Sequence, residues 1–191
     1  MSSFTTPFGN VTLKRYPTAH DPSLRAWCSA DELLLQRFYK STQETDSSSP
    51  LQNLLIANDE FGALSVALAN QFNVTHWSDS LLSQIATERN AAKNAGNIIH
   101  FCSSIDNLSE LTPDAILIRP TKNISYFHYQ LAMLSHYFPD TAIHCGIMQK
   151  FITTGVKAAI NQHLTQVNPG IGEKKARVIS AKTPCESKYD S

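Results

Sequence analysis

The chain lacks the features that would assign it to several specialised classes of protein. Its four cysteines form no CxxC pair, which argues against a zinc knuckle or a disulfide framework. No apolar run reaches the roughly 18 residues that indicate a membrane-spanning helix, and the N-terminus has neither a charged start nor an apolar core. Two cysteines, Cys102 and Cys145, lie in apolar runs, so we expect buried thiols in a reduced compartment. These absences favour a cytoplasmic protein without a metal site.

The chain also has no net charge, but the neutral total conceals a segregation of charge along the sequence. Residues 26–146 carry six basic and twelve acidic side chains, whereas the segments before and after them have net charges of +2 and +4. Such asymmetry can mark a surface that faces nucleic acid, although charges scattered over a solvated surface give the same pattern. A hydrophobic content of 42% over 191 residues is typical of one globular domain.

Short apolar runs alternate with segments of helical periodicity. The pattern predicts strands at residues 10–16, 54–57, 73–77, 98–102, 115–118, 142–147 and 176–179, and helices at 29–38, 63–69, 81–95, 126–138 and 156–164. Ser29 and Glu32 have the spacing of a capping box, Gly96 is expected to cap the third helix, and the Ser-rich segment 41–50 predicts a loop. Short, fully apolar strands separated by helices predict a doubly wound α/β domain with a mostly parallel sheet.

Ligands of such sheets bind at the carboxyl ends of the strands, so the turn after Ala57 is the first to consider. A nucleotide or S-adenosylmethionine site needs glycines there, because side chains block the close approach of backbone to ligand. The turn is Asn58-Asp59-Glu60-Phe61-Gly62, which contains one glycine and two bulky residues. It favours a simple connection between strand and helix, with an atypical cofactor loop as the alternative.

Asp79 follows the next strand, where a carboxylate can bind both hydroxyls of a ribose. Ser78 and Ser80 flank it and a predicted helix begins at once, so we interpret Asp79 as a helix N-cap. The alternative is that Asp79 is a vestige of a cofactor site.

The third position is Arg119-Pro120-Thr121-Lys122, which follows the strand that ends at Ile118. A methyltransferase that acts on an exocyclic amine needs a hydrogen-bond acceptor there, and arginine is a donor only. Arg119 and Lys122 suit contacts with phosphate, although charges at a strand end often serve only solubility.

Several blocks of sequence resemble, in the same order, one known family. They are 25–27 (RAW) with 30–36 (ADELLLQ), 58–65 (NDEFGALS) with 67–69 (ALA), 78–80 (SDS) with 86–90 (ATERN), and 174–177 (KKAR). These blocks resemble the N-terminal domain of the RsmC/RlmG family of bacterial ribosomal RNA guanine-N2 methyltransferases, and RlmG, the large-subunit enzyme, is the nearer of the two. The resemblance runs from about Leu13 to about Ile179.

The resemblance implies a Rossmann-like, class I methyltransferase-like domain over residues 1–180 with a degenerate cofactor site. Residues 181–191 would begin a linker to a C-terminal catalytic domain that this chain does not contain. In that family the first domain has lost cofactor binding and the second carries the glycine-rich loop and an Asn-Pro-Pro-aromatic motif. S-adenosylmethionine is therefore expected in the parent enzyme and not in this domain, which has no counterparts of the catalytic residues and should be inactive alone.

The leading hypothesis is that the domain orients ribosomal RNA and supports the catalytic half, which flips and methylates guanine. The candidate RNA contacts are basic residues near strand ends and in the matching blocks, namely Lys14, Arg15, Arg119, Lys122, Lys174, Lys175 and Arg177. Two alternatives stay open. One is a stand-alone cofactor-binding enzyme with an unusual loop, and the other is a purely structural module that stabilises the catalytic half through an apolar face.

Overall fold

The computed structural model describes residues 1–18, 20–44 and 49–186. Within them the strands are β1 Ser2–Thr6, β2 Gly9–Leu13, β3 Asn53–Ala57, β4 Asn73–Trp77, β5 His100–Cys102, β6 Ala115–Ile118, β7 Ala142–Met148, β8 Thr165–Asn168 and β9 Ala176–Lys182. The α-helices are α1 Ser29–Glu44, α2 Ala63–Leu68, α3 Leu81–Ala91, α4 Ile124–Tyr137 and α5 Thr154–His163.

The predicted doubly wound, mostly parallel sheet is confirmed. β1 and β2 form an antiparallel hairpin, and the other seven strands form one sheet in the order β5-β4-β3-β6-β7-β9-β8. The strands from β5 to β7 are parallel, and β9 runs antiparallel to both β7 and β8. The strand order reverses between β3 and β6, so a cleft is expected at the carboxyl ends of these two strands.

Two apolar cores lie on opposite faces of the sheet. The β1–β2 hairpin, α1, α2 and part of α3 cover one face, and α4 and α5 cover the other. Because both faces are covered, every residue of β6 is buried. No helix among the described residues is long and apolar enough to cross a membrane.

The strands that the sequence pattern missed, β1 and β8, lie outside the centre of the sheet. In β1 only Phe4 is buried, and β8 is an edge strand in which no residue is fully buried. Strands that bury so little apolar surface give a weak hydropathy signal. The prediction of a strand over 10–16 was too long at its end, since β2 stops at Leu13.

The first helix continues six residues beyond its predicted end, so the predicted loop is wrong for residues 41–44. The hydroxyls of Ser41 and Thr42 donate to the carbonyls of Phe38 and Tyr39, which lets polar residues continue the helix. Residues 45–48 of that loop lie outside the described residues.

Three further expectations need correction. Gly96 does not cap the third helix, whose C-cap is Ala92. The cysteines are not uniformly buried, since Cys145 is buried but Cys185 is exposed. The sheet extends beyond residue 180, because β9 continues to Lys182 and the side chain of Thr183 bonds the carbonyl of Phe138. Residues 187–191 of the expected linker lie outside the described part of the chain.

Gly146 lies where β7 passes under α1, and this packing generates a prediction. A Cβ at Gly146 would lie 2.9 Å from Cδ2 of Leu34 and 3.2 Å from the carbonyl oxygen of Ala30. We expect Gly146→Ala to lower the free energy of unfolding by about 1–3 kcal/mol through overpacking, as measured by urea denaturation. Gly155→Ala is the matched control, because its added methyl would meet only the side chain of Ile124, at 3.3 Å. Equal stability of Gly146→Ala and the wild type would contradict this packing.

Candidate functional site

The cleft that the strand order predicts is present. Its volume is about 860 Å³, and the turns after β3, β4, β6 and β7 line it together with part of segment 15–28. The three turns singled out in the sequence therefore meet in one place. The contacts of their polar groups determine whether the cleft can hold a cofactor.

The turn after β3 is closed by its own carboxylate. Oδ2 of Asp59 accepts hydrogen bonds from the backbone N–H groups of Leu64, at 3.0 Å, and Ser65, at 2.7 Å. These N–H groups lie in the first turn of α2, where a bound anion would otherwise find its donors. Asp59 is only 1% exposed, so its carboxylate both caps the N-terminus of α2 and shields it from solvent.

Burial, together with the negative charge of Asp31, raises the pKa of Asp59 to about 6. The hydrogen bonds from Ser65 and the positive charge of Arg119 act in the opposite direction without cancelling this effect. The cleft floor therefore holds one carboxyl group, Asp59, that is hard to ionise because it is buried beside a second carboxylate.

The residue before Asp59 fixes the turn to the rest of the cleft. Asn58 has a positive φ of 64°, and its amide forms a reciprocal pair with the amide of Gln130, with bonds of 2.8 and 3.0 Å. Nδ2 of Asn58 also donates to the carbonyl of Arg119 at 2.8 Å. Gln130 is fully buried on α4, and helical periodicity alone gave no signal for it.

Gly62, the one glycine of the turn, serves helix packing. It has a φ of 83°, and a Cβ there would lie 3.0 Å from the Cα of Thr87 on α3. The close approach that requires this glycine is thus to another helix of the same chain.

The position after β4 is occupied in a similar way. The carboxylate of Asp79 accepts from the backbone N–H and the hydroxyl of Ser104, both at 2.6 Å. The interpretation of Asp79 as the N-cap was wrong, since Ser80 is the N-cap of α3 and accepts from the N–H of Ser83. Ser104 thus supplies the two donors that a pair of ribose hydroxyls would supply.

The position after β6 carries an internal ion pair. The guanidinium of Arg119 bonds the carboxylate of Asp31 through Nη1, the carbonyl of Gly146 through Nε at 2.8 Å, and Sγ of Cys28 through Nη2 at 3.5 Å. Burial disfavours its charge, but the carboxylate of Asp31 outweighs this effect and raises the pKa of Arg119. The side chain is 21% exposed, so little of it is left for an external phosphate.

Asp31 also replaces Glu32 in the expected capping box. Oδ2 of Asp31 accepts from the backbone N–H of Cys28 at 2.8 Å, whereas Glu32 accepts from the indole N–H of Trp27 at 3.1 Å. The box is therefore shifted by one residue from Ser29 and Glu32. This shift aims Asp31 at Arg119.

The other basic candidates lie at or near the same edge of the sheet. Lys14, Lys122, Lys174 and Lys175 are exposed, and the guanidinium of Arg15 lies 4.6 Å from the ring centre of Phe61. Arg15 and Lys122 line the cleft together with Arg119. Because β9 is antiparallel to β7 and Ala176 pairs with Met148, the turn before β9 meets the carboxyl end of β7. Arg177 lies in a separate groove.

Arg25 is a further cation of the cleft that was not among the residues predicted from the sequence. The guanidinium of Arg25 lies 5.2 Å from the ring centre of Trp27, and the rings of Trp27 and Phe4 stack with their centres 4.6 Å apart. Its only signal was its place in the family-like block 25–27. Among the described residues, no group of three or more histidine, cysteine or acidic side chains is arranged to hold a metal ion.

The raised pKa of Asp59 predicts an unusual pH dependence. Its pKa is about 6 in the folded chain and near 3.8 when unfolded, so its contribution to stability is complete below pH 3.8 and is lost as pH rises through 6. Relative to Asp59→Asn, the wild type should lose about 3 kcal/mol of unfolding free energy over this interval, at 1.36 kcal/mol per pKa unit.

The comparison with Asp59→Asn is needed because the buried His76 and the half-buried His144, each with a pKa lowered to about 4, give the opposite slope as pH falls. Urea denaturation of both proteins at pH 4, 5, 6 and 7 measures the difference. A difference that stays constant across this range would refute a buried, hard-to-ionise Asp59.

The ion pair of Arg119 generates a second prediction. Arg119→Met should lower the free energy of unfolding by about 3 kcal/mol or more, because it leaves a buried carboxylate unpaired. Lys122→Met, three residues away and exposed, should change it by less than about 0.5 kcal/mol. Thermal and urea unfolding of the two variants tests this. Equal effects would mean that Arg119 is an ordinary surface cation.

The fold is that of known methyltransferases. The ribosomal protein L11 methylase from Lactobacillus delbrueckii subsp. bulgaricus superposes with a TM-score of 0.63 at 16% identity, over 86% of this chain and 83% of that one. The T. thermophilus 16S rRNA N2 methyltransferase RsmC, solved with AdoMet and guanosine, gives 0.61 at 12% identity over 97% of this chain and 45% of that one. At such identities the likeness concerns the fold alone.

Curated relatives share sequence as well. The ribosomal RNA large subunit methyltransferase G of Ectopseudomonas mendocina is 32% identical over 95% of this chain and 48% of its own length. The same enzyme of Shewanella loihica is 32% identical over 89% of this chain and 42% of its own length. The chain thus spans about half the length of the curated relatives it matches. The family model that matches it, over residues 1–185, is the RLMG N-terminal domain, and the chain belongs to this family.

Proposed function

We propose that this domain is the non-catalytic N-terminal half of an S-adenosylmethionine-dependent methyltransferase that modifies guanine N2 in 23S ribosomal RNA. In this role it supports RNA binding and the catalytic half. The observation that carries the proposal is a cleft whose three ligand positions are filled by the chain's own groups, at Asp59, Asp79 and Arg119. A domain whose ligand positions are occupied by its own side chains has a structural role and not a catalytic one.

S-adenosylmethionine does not fit the residues of this cleft. The N–H groups at the start of α2 are bonded to Asp59, and both oxygens of Asp79 are bonded to Ser104. A ligand that displaced either carboxylate would have to replace hydrogen bonds of 2.6 to 3.0 Å. The cofactor and the methyl transfer therefore belong to the other half of the parent enzyme, and this domain alone is inactive.

The names and lengths of the relatives support the RNA substrate and the second domain. They are large-subunit rRNA methyltransferases, and this chain covers 41% to 48% of the length of the first eight of them. The remaining half is long enough for a C-terminal catalytic domain on the same polypeptide.

Exposed cations support RNA contact at the carboxyl edge, which is the edge of the sheet where the parallel strands end. Lys14, Lys122, Lys174 and Lys175 are exposed, so their ammonium groups can neutralise phosphates and release counterions. Arg119 contributes indirectly, because its ion pair with Asp31 stabilises this edge of the sheet. We assign the direct contacts to the four lysines, with Arg15 and Arg177 beside them.

An apolar patch supports contact with the catalytic half. Leu81, Leu82 and Ile105 are 67%, 52% and 93% exposed. They lie next to the Asp79–Ser104 pair, and the hydroxyl of Tyr129 donates to the carbonyl of Ser104 at 3.1 Å. Grouped exposed side chains of this size mark protein contacts more often than free surface. The second domain of the same polypeptide is the partner that we assign to this patch.

Salt-dependent RNA binding tests the proposal. The chain should bind a fragment of 23S RNA with an affinity that falls as salt rises, and the Lys174→Gln/Lys175→Gln variant should reduce the slope of log K against log salt by about 0.7–0.9 per lost phosphate contact. Fluorescence anisotropy at several salt concentrations measures this slope.

Lys182→Gln is the matched control, because Lys182 lies at the far end of β9 and pairs with Asp140. It should leave the slope unchanged. Binding without salt dependence, or an equal loss in the control, would refute an RNA surface at the carboxyl edge.

A further inference from the structure

A second groove lies outside the cleft, between α5 and the β8–β9 pair. Its volume is about 680 Å³. Ile152, Ile160 and Val167 form apolar walls, and two cationic side chains, Lys157 and Arg177, line it as well. Lys157 belongs to α5 and Arg177 to β9, so the groove has a cation on each of its two sides, unlike an ordinary hydrophobic seam between a helix and a sheet.

Arg177 is unusual among the arginines of this domain. Arg177 on β9 pairs with Ile147 on β7. Its Nε is shielded from solvent and has no hydrogen-bond partner among the described residues. The contrast is Arg119, whose guanidinium bonds a carboxylate, a carbonyl and a sulfur. A buried N–H without a partner is rare in native proteins and usually indicates that a water, ion or ligand completes the site.

The acid nearest to Arg177 in sequence does not pair with it. Glu173 lies 3.8 Å from the guanidinium of Arg37 on α1, and no ion pair of Arg177 is present within the described ranges. The backbone N–H of Gln149 donates to the carbonyl of Lys175 at 2.8 Å, which holds the exposed Lys174-Lys175 turn next to the groove. Lys157, Lys174, Lys175 and Arg177 thus bring positive charge to this region, and none of them forms an ion pair within the part of the chain that the structure describes.

We propose that this groove binds a phosphodiester group of a single RNA strand, with the guanidinium of Arg177 and the ammonium of Lys157 as its donors. A guanidinium suits a phosphate because two of its N–H groups match two phosphate oxygens. The apolar walls then face the base or sugar next to that phosphate, as in other basic grooves that hold single strands. The inference rests on the proposed function and adds to it a defined subsite that includes Lys157, a residue that no sequence pattern singled out.

Two substitutions test the subsite in the complete chain. Arg177→Gln and Lys157→Gln should each weaken binding of a single-stranded RNA oligonucleotide about tenfold at low salt, and each should reduce the salt slope by about 0.7. Fluorescence anisotropy with a labelled oligonucleotide measures both quantities. Lys182→Gln is the matched control, because Lys182 lies at the opposite end of β9 from Arg177, and it should leave both quantities unchanged.

A stability measurement separates loss of the ligand site from loss of the fold. Because Nε of Arg177 has no partner to lose, Arg177→Met should melt at or above the wild-type temperature while it binds RNA as weakly as Arg177→Gln. A lower melting temperature of Arg177→Met together with unchanged RNA affinity would assign Arg177 a structural role and overturn the subsite.

The remaining outcomes are also decisive. If the wild type binds RNA and loses affinity on substitution of Lys174 and Lys175, but not of Arg177 or Lys157, the subsite is overturned and the proposed function stands. If the wild type binds no RNA at any salt concentration, both fail. If Arg177→Gln weakens only the association with a separately produced catalytic half, the groove holds an acidic protein segment and our assignment to RNA is wrong.

Discussion

The ion pair between Arg119 and Asp31 is the interaction on which the carboxyl edge of the sheet depends. Arg119 continues β6 at the point where the strand order reverses, and its backbone N–H bonds the carbonyl of Ala57 at 3.0 Å. Its guanidinium reaches α1 through Asp31 and β7 through the carbonyl of Gly146. Arg119 thus joins elements from both sides of the reversal, with its backbone bonded to β3 and its side chain to α1 and β7. Because a half-buried cation without a partner is costly, Asp31 must be placed correctly before this edge can close.

The consequence is a methyltransferase-like cleft that has kept its shape and satisfied its own polar groups. Asp59 caps α2, Ser104 bonds Asp79, and Asn58 pairs with Gln130. Each of these contacts occupies donors or acceptors that a cofactor would need, and each also fixes a turn. Under the proposed function, the contacts that would exclude a cofactor are therefore the same contacts that hold the turns in place. A rigid edge of this kind is suited to present lysines to RNA in a fixed arrangement.

The sequence predicted the centre of the fold better than its margins. β4 and β6 have the predicted bounds because their apolar side chains are buried between two layers of helices. The three strand ends singled out in the sequence meet in one cleft, but the partners of their residues were not predicted. Asp31 lies 88 residues from Arg119, and Ser104 lies 25 residues from Asp79. No local pattern encodes such pairings, so an arginine that looks available in sequence is largely engaged in the folded chain.

The central claim is that the chain's own groups occupy the cofactor positions, and an amide-resolved NMR titration with S-adenosylmethionine tests it most directly. The backbone N–H groups of Leu64, Ser65 and Ser104 are bonded to Asp59 and Asp79 and would report any displacement of these carboxylates. We predict that their resonances do not move up to millimolar cofactor. Saturable shifts confined to these three amides would show that the cleft still binds S-adenosylmethionine and would contradict the account.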